Sequence, residues 1–300
     1  MTGRSSKIRT SGSTVLFYVL SFTVITIIAF ACLFPFIMLI SASFSSEQAI
    51  RLTGYSIIPR EFTLEAYNVV FKSPQKIFMA YGVSIYITAV GTLFGLFVTT
   101  MTAYVISRKI FKYRNRLAFF FYFTTLFNGG MVSTYIFFIR YLHLKDNLLA
   151  LILPGMFNVF YLLIMRSFIQ NIPQSLIESA KIDGAGEFRI FLRIIMPLLP
   201  SALATIGLFT ALGYWNNWYN AMLFINTSSK YPLQYMLYDL LMRTQALAQI
   251  ANQAGIRIEG MPSNSLKMAM AVVATGPIIL LYPFVQRYFV KGITIGSVKG

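Results

Sequence analysis

Apolar residues along this chain neither alternate nor keep to one helical face. They gather into six long blocks, at about 14–40, 79–106, 117–139, 148–168, 198–226 and 266–286, with the polar residues confined between them. Each block can cover the hydrocarbon core of a bilayer, which takes roughly 20 residues as a helix. The pattern predicts an all-α integral membrane protein with six transmembrane helices. The first block follows Arg4, Lys7 and Arg9, as the core of a signal peptide would. Its run from Val15 to Ile40 is far longer than the roughly 7–15 residues of such a core, so it reads as a retained helix. Three segments follow. Residues 1–78 hold the N-terminal tail, first span and a loop; 79–290 form the core; 291–300 are a short tail.

Composition sharpens this. Apolar residues make up 57% of the 300 and charged ones 11%, against about 25% charged in soluble domains, too few to coat a soluble globule of this size. The chain is also strongly basic, with 25 Lys and Arg against 9 Asp and Glu. With the N-terminus inside the cell, the inner segments 1–13, 107–116, 166–197 and 287–300 hold 15 of those cations. The longer outer segments 45–78, 140–147 and 227–267 hold 10. Arg108, Lys109, Lys112, Arg114 and Arg116 lie within nine residues of one short inner loop, where the positive-inside bias acts most strongly. Both termini are therefore expected in the cytoplasm. Charge split in this way among loops makes no single basic face, which excludes nucleic acid as partner.

Candidate chemistry is sparse. Cys32 is the single cysteine and lies in the first block, so no intrachain disulfide forms. His143 is the single histidine, beside Lys145 and Asp146 in a short loop, with no ligand set around it. No metal site, phosphate-binding glycine loop or catalytic triad can be assembled. On the six-span assignment every Asp and Glu falls outside the spans, unlike the buried ionisable relays of proton-coupled carriers.

One loop stands apart. Residues 171–197 read as an amphipathic helix, a turn and a second short helix. Asn171 is placed as N-cap, Pro173 in the first turn and Gly184 as the C-terminal glycine. Leu176, Ile177, Ala180 and Lys181 recur at helical spacing with Glu178 at the stripe's edge, and a helix from about Glu187 to Met196 is stopped by Pro197. Such a segment either lies on the bilayer surface or docks a cytoplasmic partner. Its shortness and its mixture of acid and base favour docking, because surface-lying helices usually carry a strongly basic face.

The spacing Glu178-Ser-Ala-x-x-x-Gly184-x9-Ile194-x-Met196-Pro197 resembles the EAA loop of ABC importer permeases, E-A-A-x3-G-x9-I-x-L-P, with Ser179 and Met196 as its two departures. The resemblance extends over about 80–300. Asn128-Gly-Gly-Met-Val-Ser-Thr-Tyr135, Trp215-Asn-Asn-Trp218, Tyr231-Pro-Leu-Gln234 and the tail from Lys291 look like the carbohydrate-uptake branch, most of all its lipoprotein-associated, LplC-type permeases.

That resemblance implies a type I importer (MetI-like) fold in a bacterial cell membrane. It implies a second, homologous permease, two cytoplasmic ATPase subunits, and an extracellular binding lipoprotein that delivers an oligosaccharide or glycan fragment. The chain would be no enzyme and hold no cofactor, with ATP and Mg on the ATPases. Residues 171–197 would be the coupling loop: Glu178 contacting an ATPase arginine, Ser179 and Ala180 small for close approach, Gly184 making the turn, and Asp183 and Arg189 as further contacts. For the sugar path, Trp215, Asn216, Asn217 and Trp218 offer ring faces and amides, with Asn128 and Tyr135 as further candidates. On an unbroken helix, Trp215, Trp218 and Met222 share one face and Asn216 and Asn220 another; an aromatic belt at the membrane surface is the competing account. The rival function is an ATP-independent sugar carrier or channel.

Overall fold

The computed structural model describes residues 12–254 and 264–297. The cations Arg4, Lys7 and Arg9, the stretch 255–263 with Pro262, and the tail's last three residues fall outside these. The described residues are almost wholly helical, with one isolated bridge between Ser45 and Phe62. Two compact units form. One comprises Met1–Lys72 with Thr244–Val273, the other Ser73–Arg243 with Ala274–Gly300.

In the first unit, α1 (Gly12–Ser43) is apolar all round and keeps its helix through Pro35. Its side chains are exposed over most of its length, as a lipid-facing span requires. Two short helices follow, α2 (Glu47–Thr53) and α3 (Glu65–Val70). Glu47 is buried, yet it stands where a carboxylate is useful. It accepts from the backbone N–H of Asn264 (2.8 Å) and Ser265 (3.1 Å), capping the start of α14 (Asn264–Ser297), and from Arg51 at 3.0 Å.

The second unit is built on α4 (Pro74–Ser107), with Pro74 in its first turn. Its buried positions are mostly small: Ala80, Ser84, Gly91, Gly95, Thr99, Thr100 and Ala103. Small residues let neighbouring backbones approach closely inside a membrane, where no hydrophobic effect drives helices together. A Cβ at Gly95 would stand 2.8 Å from the Met156 carbonyl oxygen, and one at Gly91 would run into the Tyr214 ring. Tyr214 is held there by its hydroxyl, which donates to the Ile152 carbonyl at 2.6 Å. Gly95→Val is therefore expected to destabilise the purified chain by about 1–3 kcal/mol, since it meets backbone that cannot rotate away. Gly82→Val, with open space around it, is the control. Equal melting temperatures for the two variants in detergent would refute the close-approach account.

α1, α4 and α14 cover the expected first, second and sixth spans. The third, fourth and fifth are each broken, a correction to the unbroken blocks. The third splits into α5 (Arg114–Thr124) and α6 (Gly130–Ile136), the latter passing into a π-turn at Phe137–Tyr141. The fourth splits into α7 (Leu149–Ile152) and α8 (Val159–Gln170), bent by 52°. The fifth splits into α11 (Pro200–Trp215) and α12 (Tyr219–Phe224). Apolar run length cannot reveal these breaks, but asparagine can. Asn128 Oδ1 accepts from Gly130 N–H (2.8 Å), Asn158 Oδ1 from Phe160 N–H (2.9 Å), and Asn217 Oδ1 from Asn220 N–H (3.1 Å). Each break thus carries a side chain that satisfies a freed backbone donor, as a non-helical stretch at membrane depth demands. The segment 227–267 between the fifth and sixth apolar blocks contains the 21-residue helix α13 (Leu233–Gln253).

Candidate functional site: a rooted loop and a pocket at the helix breaks

The loop 171–197 forms α9 (Gln174–Ile182), a turn, and α10 (Glu187–Ile190), which continues through a π-turn at Phe191–Ile195 and a 3-10 turn at Met196–Leu198. The N-cap lies at Pro173, not Asn171. Asn171 adopts helical angles and closes α8, its N–H bonding Phe168 O, while Pro173 is extended (ψ 127°) and starts the next helix. The second helix survives to Leu198 because Pro197 sits near the start of a 3-10 turn. The chain then bends by 84° into α11.

Gly184 has φ +77°, a region costly for any residue with a Cβ. Around it, Ala185 N–H bonds Ala180 O (2.9 Å) and Gly184 N–H bonds Lys181 O (3.0 Å). This double closure is the Schellman motif. It explains glycine at 184 from the backbone alone.

Ile177, Ala180, Ile190, Phe191 and Ile195 are buried in one cluster with Ala103 and Tyr104 of α4, Leu162 and Met165 of α8, and Ala202 and Ile206 of α11. The loop is thus fixed to three span-forming helices. Ala180 faces this core, so its small side chain is used inside the chain. Glu178 and Ser179 are exposed, as are Asp183 and Arg189, which have no ion pair among the described residues. Ile182, one turn beyond Glu178, is 86% exposed. Sequence patterning had not singled it out.

Glu187 was also missed as anything more than a helix start. Its carboxylate accepts from the Tyr104 hydroxyl (2.5 Å), Lys181 Nζ (2.7 Å) and Arg108 Nη2 (3.4 Å). It joins α9 and α10 to the end of α4. Partial burial alone raises its pKa. The hydrogen bonds from Lys181 and Tyr104, with the Arg108 and Lys181 charges, outweigh that and hold it below the usual carboxylate range.

The second feature is a pocket of about 220 Å³ at the breaks of the α7–α8 and α11–α12 pairs. It is lined by Asn158, Tyr161, Thr210, Tyr214, Asn217 and Asn220 among others. The expected path residues separate here. Asn217 lines the pocket. Trp215 is buried, and its indole N–H donates to Ala274 O (3.0 Å), a packing role. Trp218 is half-buried and stacks on Tyr238 at 4.4 Å, and Asn216 Oδ1 accepts from Gln234 at 3.2 Å. The helix break at 216–218 removes the single face on which Trp218 was aligned with Trp215. Asn128 and Tyr135 line neither feature: the first caps its own break, and the second stacks on Phe224. Asn158, Tyr161 and Asn220 join the pocket only because two helix breaks meet.

The short loop at 140–147 is organised by Asp146, whose carboxylate accepts from Asn226 N–H (3.0 Å), Thr227 N–H (2.9 Å), Thr227 Oγ1 (2.7 Å) and Lys230 Nζ (2.9 Å). These bonds, Lys230 first, hold its pKa far below the usual range. Among the described residues no group of His, Cys, Asp and Glu is arranged to hold a metal ion.

No family model matches the chain. Curated relatives do. The chain is 40% identical over 285 residues to the polygalacturonan/rhamnogalacturonan transport system permease protein YtcP of Bacillus subtilis (strain 168), covering 95% of this chain and 99% of that one. It is 42% identical over 266 residues to protein LplC of the same organism, covering 89% of each. Among solved structures it is similar to a chain of a bacterial ABC transporter involved in the import of the acidic polysaccharide alginate. The TM-score is 0.76 at 28% identity, over 94% of this chain and 100% of that one.

Proposed function

This chain belongs to the permease subunits of carbohydrate ABC importers, and on that premise we propose that it carries an oligosaccharide or glycan fragment across a bacterial cell membrane, driven through residues 171–197. The likeness to YtcP over nearly the whole of both chains carries the reading. The names of that relative and of the alginate importer favour a polysaccharide fragment over a monosaccharide.

The chain hydrolyses nothing itself. A second permease, two ATPases and an extracellular binding lipoprotein complete the machine, and ATP and Mg sit on the ATPases. Six spans with both termini inside agree with the 15 cations on the inner segments. Closure of the ATPase pair moves α9. Because α9 shares one core with α4, α8 and α11, the displacement passes to those helices as a rigid-body motion. Glu178, Ser179 and Ile182 present the outward face; Asp183 and Arg189 flank it. Ala180 and Gly184 set its position.

The pocket at the two helix breaks is the sugar site. Broken helices line substrate sites near the midplane of many transporters because their ends expose directed polar groups. Asn217 uses its amide oxygen as a cap and keeps its NH2 as a donor. Tyr161, which is partly exposed, offers a ring face, and the buried Tyr214 closes the pocket floor.

Two measurements test this. Proteoliposomes holding the complete importer should take up sugar only with ATP and binding protein; uptake by this chain alone would end the reading in favour of a carrier or channel. Asn217→Asp should retain the cap while removing the amide donor. It is expected to raise the sugar concentration for half-maximal uptake about tenfold, with unchanged assembly, a hydrogen-bond loss of roughly 1–2 kcal/mol. An unchanged value would exclude Asn217 from the path.

A further inference from the structure

The end of α4, the start of α5, and α8 enclose a cleft of about 240 Å³ lined by Arg108, Lys109, Arg114 and Arg166, with no carboxylate in its wall. Arg108 is only 8% exposed. Its Nε and that of Arg166 are buried with no hydrogen-bond partner among the described residues. Arg166 is held in place by donating from Nη2 to Asn115 Oδ1 at 2.9 Å, and Arg114 stands close enough to repel it. Arg108 reaches Glu187 at 3.4 Å; among the described residues Lys109, Arg114 and Arg166 have no carboxylate partner. A fold gains nothing by gathering cations around a cleft and burying two guanidinium N–H groups unpaired. An anion with several acceptor oxygens resolves both costs, and a guanidinium fork fits the tetrahedral oxygens of phosphate.

The geometry points to a phosphate-binding site in this cleft, occupied by the headgroup of an anionic phospholipid or by free phosphate. Basic clefts between spans on the cytoplasmic side take lipid phosphates by this chemistry. Gln174 and Ile177 of α9 form part of the wall. Bound phosphate thus ties the ends of α4, α5 and α8 to α9. The binding stands independently of the function proposed above; any effect on ATP-driven uptake rests on it and is read separately.

The test uses the full chain in detergent. Retention of phosphatidylglycerol against phosphatidylcholine is read by native mass spectrometry. Stabilisation by inorganic phosphate is read by thermal shift against chloride at equal ionic strength. The variant is Arg114→Gln with Arg166→Gln; the control is Arg116→Gln, an exposed cation of the same segment that does not line the cleft. The double variant should lose at least about tenfold in affinity for the bound anion, the loss of one charge-assisted hydrogen bond or more. The control should lose nothing. Cleft-dependent retention of phosphatidylglycerol identifies the lipid as the source. Cleft-dependent stabilisation by phosphate without lipid preference identifies the free anion. Equal losses in the control, or no cleft-dependent binding of either anion, overturn the site. Removing mutually repelling cations should not impair folding; if the double variant aggregates, Lys109→Gln, at an exposed position, supplies the same readout in milder form.

Discussion

Replacing Glu178 with lysine is expected to abolish ATP-driven sugar uptake and to weaken ATPase docking while the chain folds and inserts as before. The basis is its position. Glu178 lies on the exposed face of α9 with no ion pair among the described residues, so reversing its charge removes nothing that holds the chain together. Beneath it, Ile177 and Ala180 keep α9 seated in the core, and the Schellman turn at Gly184 keeps its end fixed. The damage therefore falls on the partner's side. On the proposed contact of residue 178 with an ATPase arginine, a like charge there would cost about 2–5 kcal/mol, a loss of more than tenfold in docking. Glu178→Gln, which removes attraction without adding repulsion, should fall between. Ile182→Ser provides an independent probe of the same face, because an apolar side chain 86% exposed gains burial only from a partner. Co-purification of the ATPases and uptake in proteoliposomes measure both. Normal uptake by the lysine variant would remove α9 from the coupling path.

The sequence made the helix–turn–helix form of residues 171–197 readable because its signal is local. Helix periodicity, a glycine at the turn and a motif spaced over twenty residues all concern neighbours in the chain, and the placement of Gly184 at φ +77° follows from them. The path was much less readable. Trp215 and Trp218 looked equivalent by spacing, yet a break between them turns one into a core residue bonded to Ala274 and leaves the other stacked on Tyr238. An apolar run gives the length of a span but not its continuity. Asparagine within such a run caps a broken helix in either case, and only the meeting of two breaks puts Asn217, unlike Asn128, in the wall of a pocket. Glu187 and Arg108 were invisible as a pair because 79 residues separate them. Their contact exists only once α10 packs under the end of α4.

That pair carries the second large effect. Replacing Glu187 with alanine should loosen the loop 171–197 without touching its outward face. Three groups converge on the carboxylate: Tyr104 from α4, Arg108 just beyond it, and Lys181 from α9. Arg108 is the critical partner, since it is buried and its Nε lacks an acceptor among the described residues; without Glu187 its charge has no carboxylate partner among them. Breaking a fully buried pair costs about 3–5 kcal/mol. Glu187 is half-exposed, so solvent screens part of this, and a loss of about 1–2 kcal/mol is expected. Hydrogen exchange should rise across 174–185, and sugar moved per ATP should fall while the ATPases still co-purify, the reverse of the Glu178→Lys phenotype. Arg108→Met combined with Glu187→Ala should cost less than the sum of the single changes, because the stranded charge is gone. The pH dependence follows from the lowered pKa of Glu187. A depressed carboxylate stabilises the fold above its unfolded value of about 4.3, and that contribution disappears as pH falls through the folded value. The wild type should thus lose part of its stability below about pH 4 in a manner absent from Glu187→Gln. Identical acid profiles for the two, together with unchanged exchange at 174–185 in the alanine variant, would show that the loop is held by its apolar core alone.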